Sequence, residues 1–393
     1  MIVVIADDLT GAAEIGGIGL AHGLKVELSR RICGESDAEL LIIDTDTRNL
    51  SPEKAGQSIC EIAGCLKTSG LAIERIYKKT DSVLRGHVAC ELEALRQSMG
   101  ASRVIFVPAN PSKGRVVRDG SLYINGQLLS ETDFANDPEY PAKTAKILKF
   151  QGFPEVNAEY LASCDEGISG EGIMVGQAET TGDLMRWAGQ IDDDTIMAGA
   201  GEFFEAILTR KGYSKEIAVK EKGDRSGEKV LFVCGSSSSY SREVIGKAES
   251  FGARVCRMPE GLFLSGQRNE KDIQQWSEDI VEGFQNGYGV IMAIDRDAVG
   301  DVEFAGKLRS IMARTVLKVA QKITLTELFV EGGATASAIV DSFEWDRFEP
   351  CDQFGPGVVR MKVCNSDSVF ITLKPGSYPW PESIWNKDIF DRS

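Results

Sequence analysis

Short apolar runs that end in polar, glycine-rich turns recur along the chain, and most of the turns lead into segments whose apolar residues follow helical spacing. The first run is IVVI at 2–5. It exits into ADDLTGAAEIGG, where Gly11, Ala12, Ala13, Gly16 and Gly17 open a helix slim enough to lie close on a sheet. A second run at 40–43 exits into DTDTRNLSP, with Ser51 and Pro52 as cap and first residue of a helix carrying Ile59, Ile62 and Leu66. Leu71, Ala72 and Ile73 read as a third strand, feeding YKKTDSVLRG, and residues 104–107 as a fourth. Such alternation predicts parallel strands in a doubly wound sheet.

The rhythm breaks at 114–141, where Asp119-Gly120 and Asn125-Gly126 flank SLYI and predict a hairpin excursion. Strands at 172–175 and 195–198 and a helix at 201–209 then close a first domain, 1–213. SKEIAVKEKGDRSGEK at 214–229 is charged and poor in large apolar residues, as an exposed linker is. A second domain, 230–393, starts with a strand at 230–234 and a helix from Ser241, and continues with strands at 289–294, 327–330 and 369–373. The expected fold class is α/β, two domains, each with a largely parallel sheet flanked by helices. The length of 393 residues agrees with two domains at ~150 residues each.

Composition removes several functions. No run of ~18 apolar residues is present and a strand follows Met1 at once, so neither a membrane span nor a signal peptide is expected and the protein is placed in the cytoplasm. A net charge of −15, with 44 dispersed Lys and Arg, speaks against a nucleic-acid surface, although a few local cations and backbone amides can still hold a small anion. Nine cysteines without a CxxC pair and only two histidines give no zinc site and no disulfide framework, and no metal ligands are assigned.

The chemistry concentrates at strand exits, where open parallel sheets bind ligands. In YKKTDSVLRG, Lys79 can supply positive charge and Asp81 can accept from a hydroxyl; a solvated loop with Asp81 as helix cap is the plainer alternative. Asp7 and Asp8 are adjacent, so their side chains should diverge and Asp8 is expected to face the ligand, unless it or Thr10 only caps the helix. Arg48 offers a planar fork for a carboxylate, or a surface ion pair with Asp44 or Asp46. In the second domain Gly235 with Ser236 to Ser239, Gly332 to Thr335, and Gly376 can converge amides and hydroxyls on phosphates, or be tight packing turns. Neither G-x-x-x-x-G-K-[ST] nor G-x-G-x-x-G occurs in a suitable context. An aspartyl phosphatase would need Asp-x-Asp, and here the acids are consecutive.

Taken in order, ADDLTGA (6–12), DTDTR (44–48), KKTDSVLRG (78–86), GRVVRDGSLYINGQLLSETDFANDP (114–138), GSSS (235–238), EGGAT (331–335), FGPGV (354–358) and KPGSY (374–378) resemble the four-carbon acid sugar kinase family, the kinases of threonate, erythronate or 3-oxo-tetronate. The resemblance implies an ATP-dependent kinase. Its amino-terminal domain would bind the sugar acid, its carboxy-terminal domain ATP with Mg²⁺, and the phosphoryl group would pass across an interdomain cleft. Asp7, Asp8, Arg48, Lys79, Thr80, Asp81, Ser82 and Arg85 fall where the family holds its substrate. Ser236, Ser238, Gly332, Gly333, Ala334, Thr335, Gly357 and Gly376 fall where it holds ATP. Asp8, Asp81 and Lys79 form the implied catalytic set, with one of the two acids as base. Departures at Thr80, Val83, His87, Tyr240 to Glu243 and Ser377 to Pro379 bear on the exact substrate and nucleotide contacts. The implied partners are the sugar acid and ATP or ADP, with a homodimer left open; a non-catalytic sugar-acid and nucleotide binder is the rival reading.

Overall fold

The computed structural model describes residues 1–31, 36–137, 139–165, 167–190, 192, 194–215, 229–235, 239–250, 252–265, 269–285, 287, 289–294, 302–366, 369–376 and 378–384. The chain forms two compact units, Met1–Ile217 and Ala218–Ser393.

The first unit contains strands β1 (Ile2–Ala6), β2 (Val26–Ser29), β3 (Leu40–Asp44), β4 (Arg75–Lys79), β5 (Arg103–Val107), β6 (Arg115–Arg118), β7 (Ser121–Ile124), β8 (Gln127–Leu128), β9 (Ala158–Leu161), β10 (Gly172–Gly176) and β11 (Thr195–Gly199). Its helices are α1 (Leu9–Ala21), α2 (Pro52–Thr68), α3 (Val88–Met99), α4 (Thr181–Ala188) and α5 (Gly201–Arg210). Eight strands pair in parallel in the order β2-β3-β1-β4-β11-β5-β10-β9. Every residue of β1 is buried, which is why it reads as an unbroken apolar run. The chain leaves β1 toward β2 and β3 on one side and returns to β4 on the other, so the winding direction reverses between β1 and β4. Crevices at such reversals are where open α/β sheets take ligands.

The strand feeding the Lys-x-Asp-Ser turn differs from expectation. Residues 71–73 lie outside any strand, and β4 is RIYKK, registered on β1 through Ile2 with Arg75 and Ala6 with Lys79. Lys78 is wholly buried there because its ammonium lies 2.7 Å from Glu91 Oε2 of α3, a carboxylate that Thr47 also reaches at 2.5 Å. The excursion at 114–141 is a small antiparallel sheet, β6-β7-β8. Asp119, Gly120, Asn125 and Gly126 all have positive φ (48°, 67°, 49° and 84°), the type I′ geometry that matches strand twist in tight hairpins.

The second unit contains β12 (Val230–Cys234), β13 (Arg254–Arg257), β14 (Gly289–Ala293), β15 (Glu327–Glu331), β16 (Arg347–Gly355), β17 (Val358–Val363) and β18 (Phe370–Lys374), with helices α6 (Ser239–Ser250), α7 (Glu260–Ser265), α8 (Glu270–Gly283), α9 (Val302–Ala320) and α10 (Gly333–Ser342). The order is β13-β14-β12-β15-β18-β17-β16, parallel as far as β18 and antiparallel beyond it. Phe232 and Phe329 stack in its core with ring centroids 4.7 Å apart, and Trp380 meets both edge-on. Most of the segment expected to link the two domains, 216–228, lies outside the described residues.

Candidate active site

The ends of β1 and β4 deliver the acids side by side. Asp8 caps α1, accepting from the Gly11 amide at 3.0 Å and from Thr10 Oγ1 at 2.5 Å. Its neighbour Asp7 does not point away from it: Arg48 donates from Nε to Asp7 Oδ2 at 2.8 Å, from Nη1 to Asp8 Oδ2 at 2.9 Å and from Nη2 to Asp8 Oδ1 at 2.8 Å. The expectation that the two side chains diverge therefore needs correcting. The adjacent carboxylates converge because one half-buried guanidinium is the cation that offsets their desolvation. Arg48 in turn pairs with Asp7 and Asp8, leaving Asp44 and Asp46 to Arg30 at 3.1 Å each. Burial alone would raise the Asp7 carboxyl, but Arg48 and Lys78 hold it below the usual carboxylate value. Gly86, at φ +88°, passes over this cluster; a Cβ there would lie 3.3 Å from Asp7 Oδ2.

Asp81 follows directly on β4. Its carboxylate accepts from the Val83 and Arg85 amides at 3.1 and 3.2 Å and from Arg85 Nε and Nη2 at 3.1 and 2.8 Å. Against burial, Arg85 and Arg48 keep it well below the ordinary carboxylate range. Lys79 Nζ lies 3.2 Å from Glu14 Oε2 on α1, and Lys113 reaches the other Glu14 oxygen at 2.6 Å. Burial opposes the ionised form of Glu14, yet the two lysines pull its pKa down to about 2. Ser82 accepts from Arg115 of β6, and the Tyr140 hydroxyl donates to the Arg48 carbonyl. Burial, above all, lifts the Tyr140 phenol to about 12. Thr80 Oγ1 and Asp7 Oδ1 are buried without a hydrogen-bond partner.

The substrate set drawn from the sequence thus lies together at one reversal point. Sequence reasoning missed Glu14, Lys113, Arg115 and Tyr140. The last three lie in or beside the excursion, which the turn signals predict as a hairpin without giving its polar residues a role.

In the second unit the exits of the adjacent strands β12, β15 and β18 converge. Gly332 (φ +91°) caps α10, whose first residues are Gly333, Ala334 and Thr335. A Cβ on Gly235 would lie 2.5 Å from Thr335 Oγ1, and one on Gly376 would lie 3.9 Å from Gly332 Cα. Gly357 (φ +74°) turns β16 into β17 against Tyr378 and Pro375. Beneath these turns Lys374 lies 2.9 Å from Glu331 and donates to the Pro375, Gly376 and Tyr378 carbonyls at 3.0, 3.4 and 2.6 Å. Ser241 Oγ completes Glu331 at 2.7 Å. Sequence inspection passed over this pair. Ser236 and Ser238 lie outside the described residues.

Residues 2–207 match the family of sugar-binding N-terminal domains, more than half of the chain, and residues 231–378 match nucleotide-binding C-terminal domains. The chain belongs to the four-carbon acid sugar kinase family. Membership makes it an ATP-dependent phosphotransferase. Among relatives of this kinase, a D-erythronate kinase of Heliobacterium modesticaldum is 28% identical over 308 residues, 72% of this chain and 68% of the relative. A D-threonate kinase of Salmonella typhimurium is 22% identical over 402 residues, 96% of this chain and 95% of the relative. The solved structure of Haemophilus influenzae protein HI1011 superposes with a TM-score of 0.71 at 22% identity, covering 99% of this chain and 98% of that one, which bears on the fold alone. Among the described residues no helix is long and apolar enough to cross a membrane.

Proposed function

We propose that this kinase phosphorylates a hydroxyl of a four-carbon sugar acid of the threonate, erythronate or 3-oxo-tetronate type, held by Asp7, Asp8, Arg48 and the segment from Lys79 to Arg85. ATP is held in the second domain by Gly332 to Thr335, Gly357 and Gly376, together with Ser236 and Ser238, and residues 214–229 link the two domains. The observation that carries the reading is the meeting of three carboxylates and two guanidiniums at the β1/β4 reversal, beside buried polar atoms at Asp7 and Thr80 that lack partners.

Phosphoryl transfer asks the protein for alignment and charge neutralisation more than for covalent chemistry. Asp8 and Asp81 accept from substrate hydroxyls. One of these two acids takes the role of base and the other orients the hydroxyl; Arg85 and Arg48 hold Asp81 well below the ordinary carboxylate range. Lys79 faces the charge that develops on the transferred group. Mg²⁺ would enter with the nucleotide phosphates, its usual mode, and no step here is assigned to it.

The test is ADP formation from ATP with each of the three acids. Asp8→Asn or Asp81→Asn should lower kcat by ~100-fold or more, the usual contribution of a general base. Gly333→Asp should weaken ATP while leaving the KM of the acid in place. Full turnover by Asp8→Asn and Asp81→Asn would remove the assignment of the base, and unchanged nucleotide affinity in Gly333→Asp would remove that of the nucleotide loops.

A further inference from the structure

A substrate carboxylate needs a cation, and most cations in the amino-terminal site are already engaged. Arg48 gives Nε, Nη1 and Nη2 to Asp7 and Asp8, and Arg85 gives Nε and Nη2 to Asp81. Lys79 and Lys113 share Glu14. Arg115 differs. Its Nη1 donates to the neutral hydroxyl of Ser82, its guanidinium lies 6.0 Å from the centroid of the Phe134 ring, and no described carboxylate lies within ion-pair distance of it. Arg115 acts on Asp81 only at longer range, and among the described residues it is the cation of this cluster without an ion-pair partner of its own.

Its placement is fixed by backbone. The Asn110 amide donates to the Arg115 carbonyl at 2.7 Å, the Arg115 amide returns to the Asn110 carbonyl at 3.1 Å, and Lys113 also donates to Asn110 at 3.0 Å. The base of the excursion is thus clipped shut immediately after β5, and the first residue of β6 is aimed at Ser82, next to Asp81. Arg115 stays partly exposed. A planar fork, held in place and with donors to spare, is the side chain suited to a carboxylate.

Resting on the proposed function, we infer that Arg115, rather than Arg48, clamps the carboxylate of the sugar acid, and that the β6-β8 excursion exists to deliver it. Arg48 then serves to shape the acid pair, and Asp8 and Asp81 remain for the substrate hydroxyls.

The experiment compares the wild-type chain with Arg115→Gln on a tetronate and on erythritol and threitol, uncharged polyols of the same length, with thermal unfolding as a check on folding. Arg115→Gln should raise the KM of the acid by ~10- to 100-fold, the loss expected for a charge-assisted bidentate contact, with the KM of ATP unchanged. The wild-type preference for acid over polyol, as a ratio of kcat/KM values, should fall to the same extent. A merely structural role would lower both substrates together and keep the ratio. If Arg115→Gln does not fold, Arg115→Lys replaces it, with the ratio falling ~10-fold for loss of the fork. An unchanged ratio in a folded variant, with wild-type turnover of tetronate intact, overturns the clamp alone. A wild-type chain that turns over no tetronate overturns the functional reading, and the clamp with it.

Discussion

Lys374 and Glu331 sit opposite each other on β18 and β15 and form an ion pair 2.9 Å long with both side chains buried. The ammonium also donates to three carbonyls of the β18 exit and faces the Trp380 ring, and the carboxylate accepts from Ser241 of α6. Removing one member strands the other charge without water. Lys374→Met should cost about 3–5 kcal/mol in urea unfolding. Where the variant still folds, it should also raise the KM of ATP, because the loop carrying Gly376 loses its anchor. A variant as stable as the parent would show that the pair is not what holds the loop.

Arg48 neutralises two buried carboxylates at once, so Lys should not replace it. One ammonium cannot reproduce three N–H bonds aimed at two acids. Arg48→Lys is expected to lower kcat by more than ~100-fold through misplacement of Asp8, since positional errors near 1 Å already cost that much. Near-parental turnover in steady-state assays would contradict the geometry.

Gly11→Ala removes no functional group, yet a Cβ there would lie 2.7 Å from Asp8 Oδ1 and 3.3 Å from Lys79 Nζ. Both side chains would have to move. The variant should keep its melting temperature within a few degrees and lose ~10- to 100-fold in kcat. The reverse pattern, intact kcat with a falling melting temperature, would separate Asp8 and Lys79 from the chemistry.

Two carboxyls, half-buried Glu14 and buried Asp44, should give opposite pH signatures. Glu14, brought from 4.5 to about 2 by Lys79 and Lys113 against the effect of burial, stabilises the fold fully above pH 4.5 and loses that contribution as pH falls toward 2. Asp44, pushed up to about 7 chiefly by burial against the pull of Arg30, keeps its proton in the folded state after the unfolded chain has released it, so stability declines as pH rises from 3.8 to about 7. Denaturant unfolding across pH should show the first slope flattened in Glu14→Gln and the second in Asp44→Asn. Slopes identical to those of the parent would exclude these two groups as their source.

Legibility in the sequence followed burial. β1 and β12 are apolar throughout, and their limits were readable to within one residue because strands covered on both faces carry little else. β4 was misplaced because RIYKK buries two lysines whose partners, Glu91 and Glu14, lie on helices outside any local window. The residue types of the site were visible, but the engagement of Arg48 was not. Its partners lie 40 and 41 positions away, and only the sheet brings them within reach. The antiparallel pair β16 and β17 was missed for a related reason: RFEPCDQFG mixes proline, acids and glycine, and its strand character comes from pairing with β17.

The ribbon of β6, β7 and β8 belongs to none of the eight parallel strands and is closed by two tight turns of its own. It is tied to the framework at Val117, which exchanges amide hydrogen bonds with Ala178 and is buried together with Leu122, while Tyr123 to Leu128 stand half-buried or exposed. Libraries that spare Val117, Ser121 and Leu122 should therefore vary the ribbon's solvent-facing side without unseating it from the sheet.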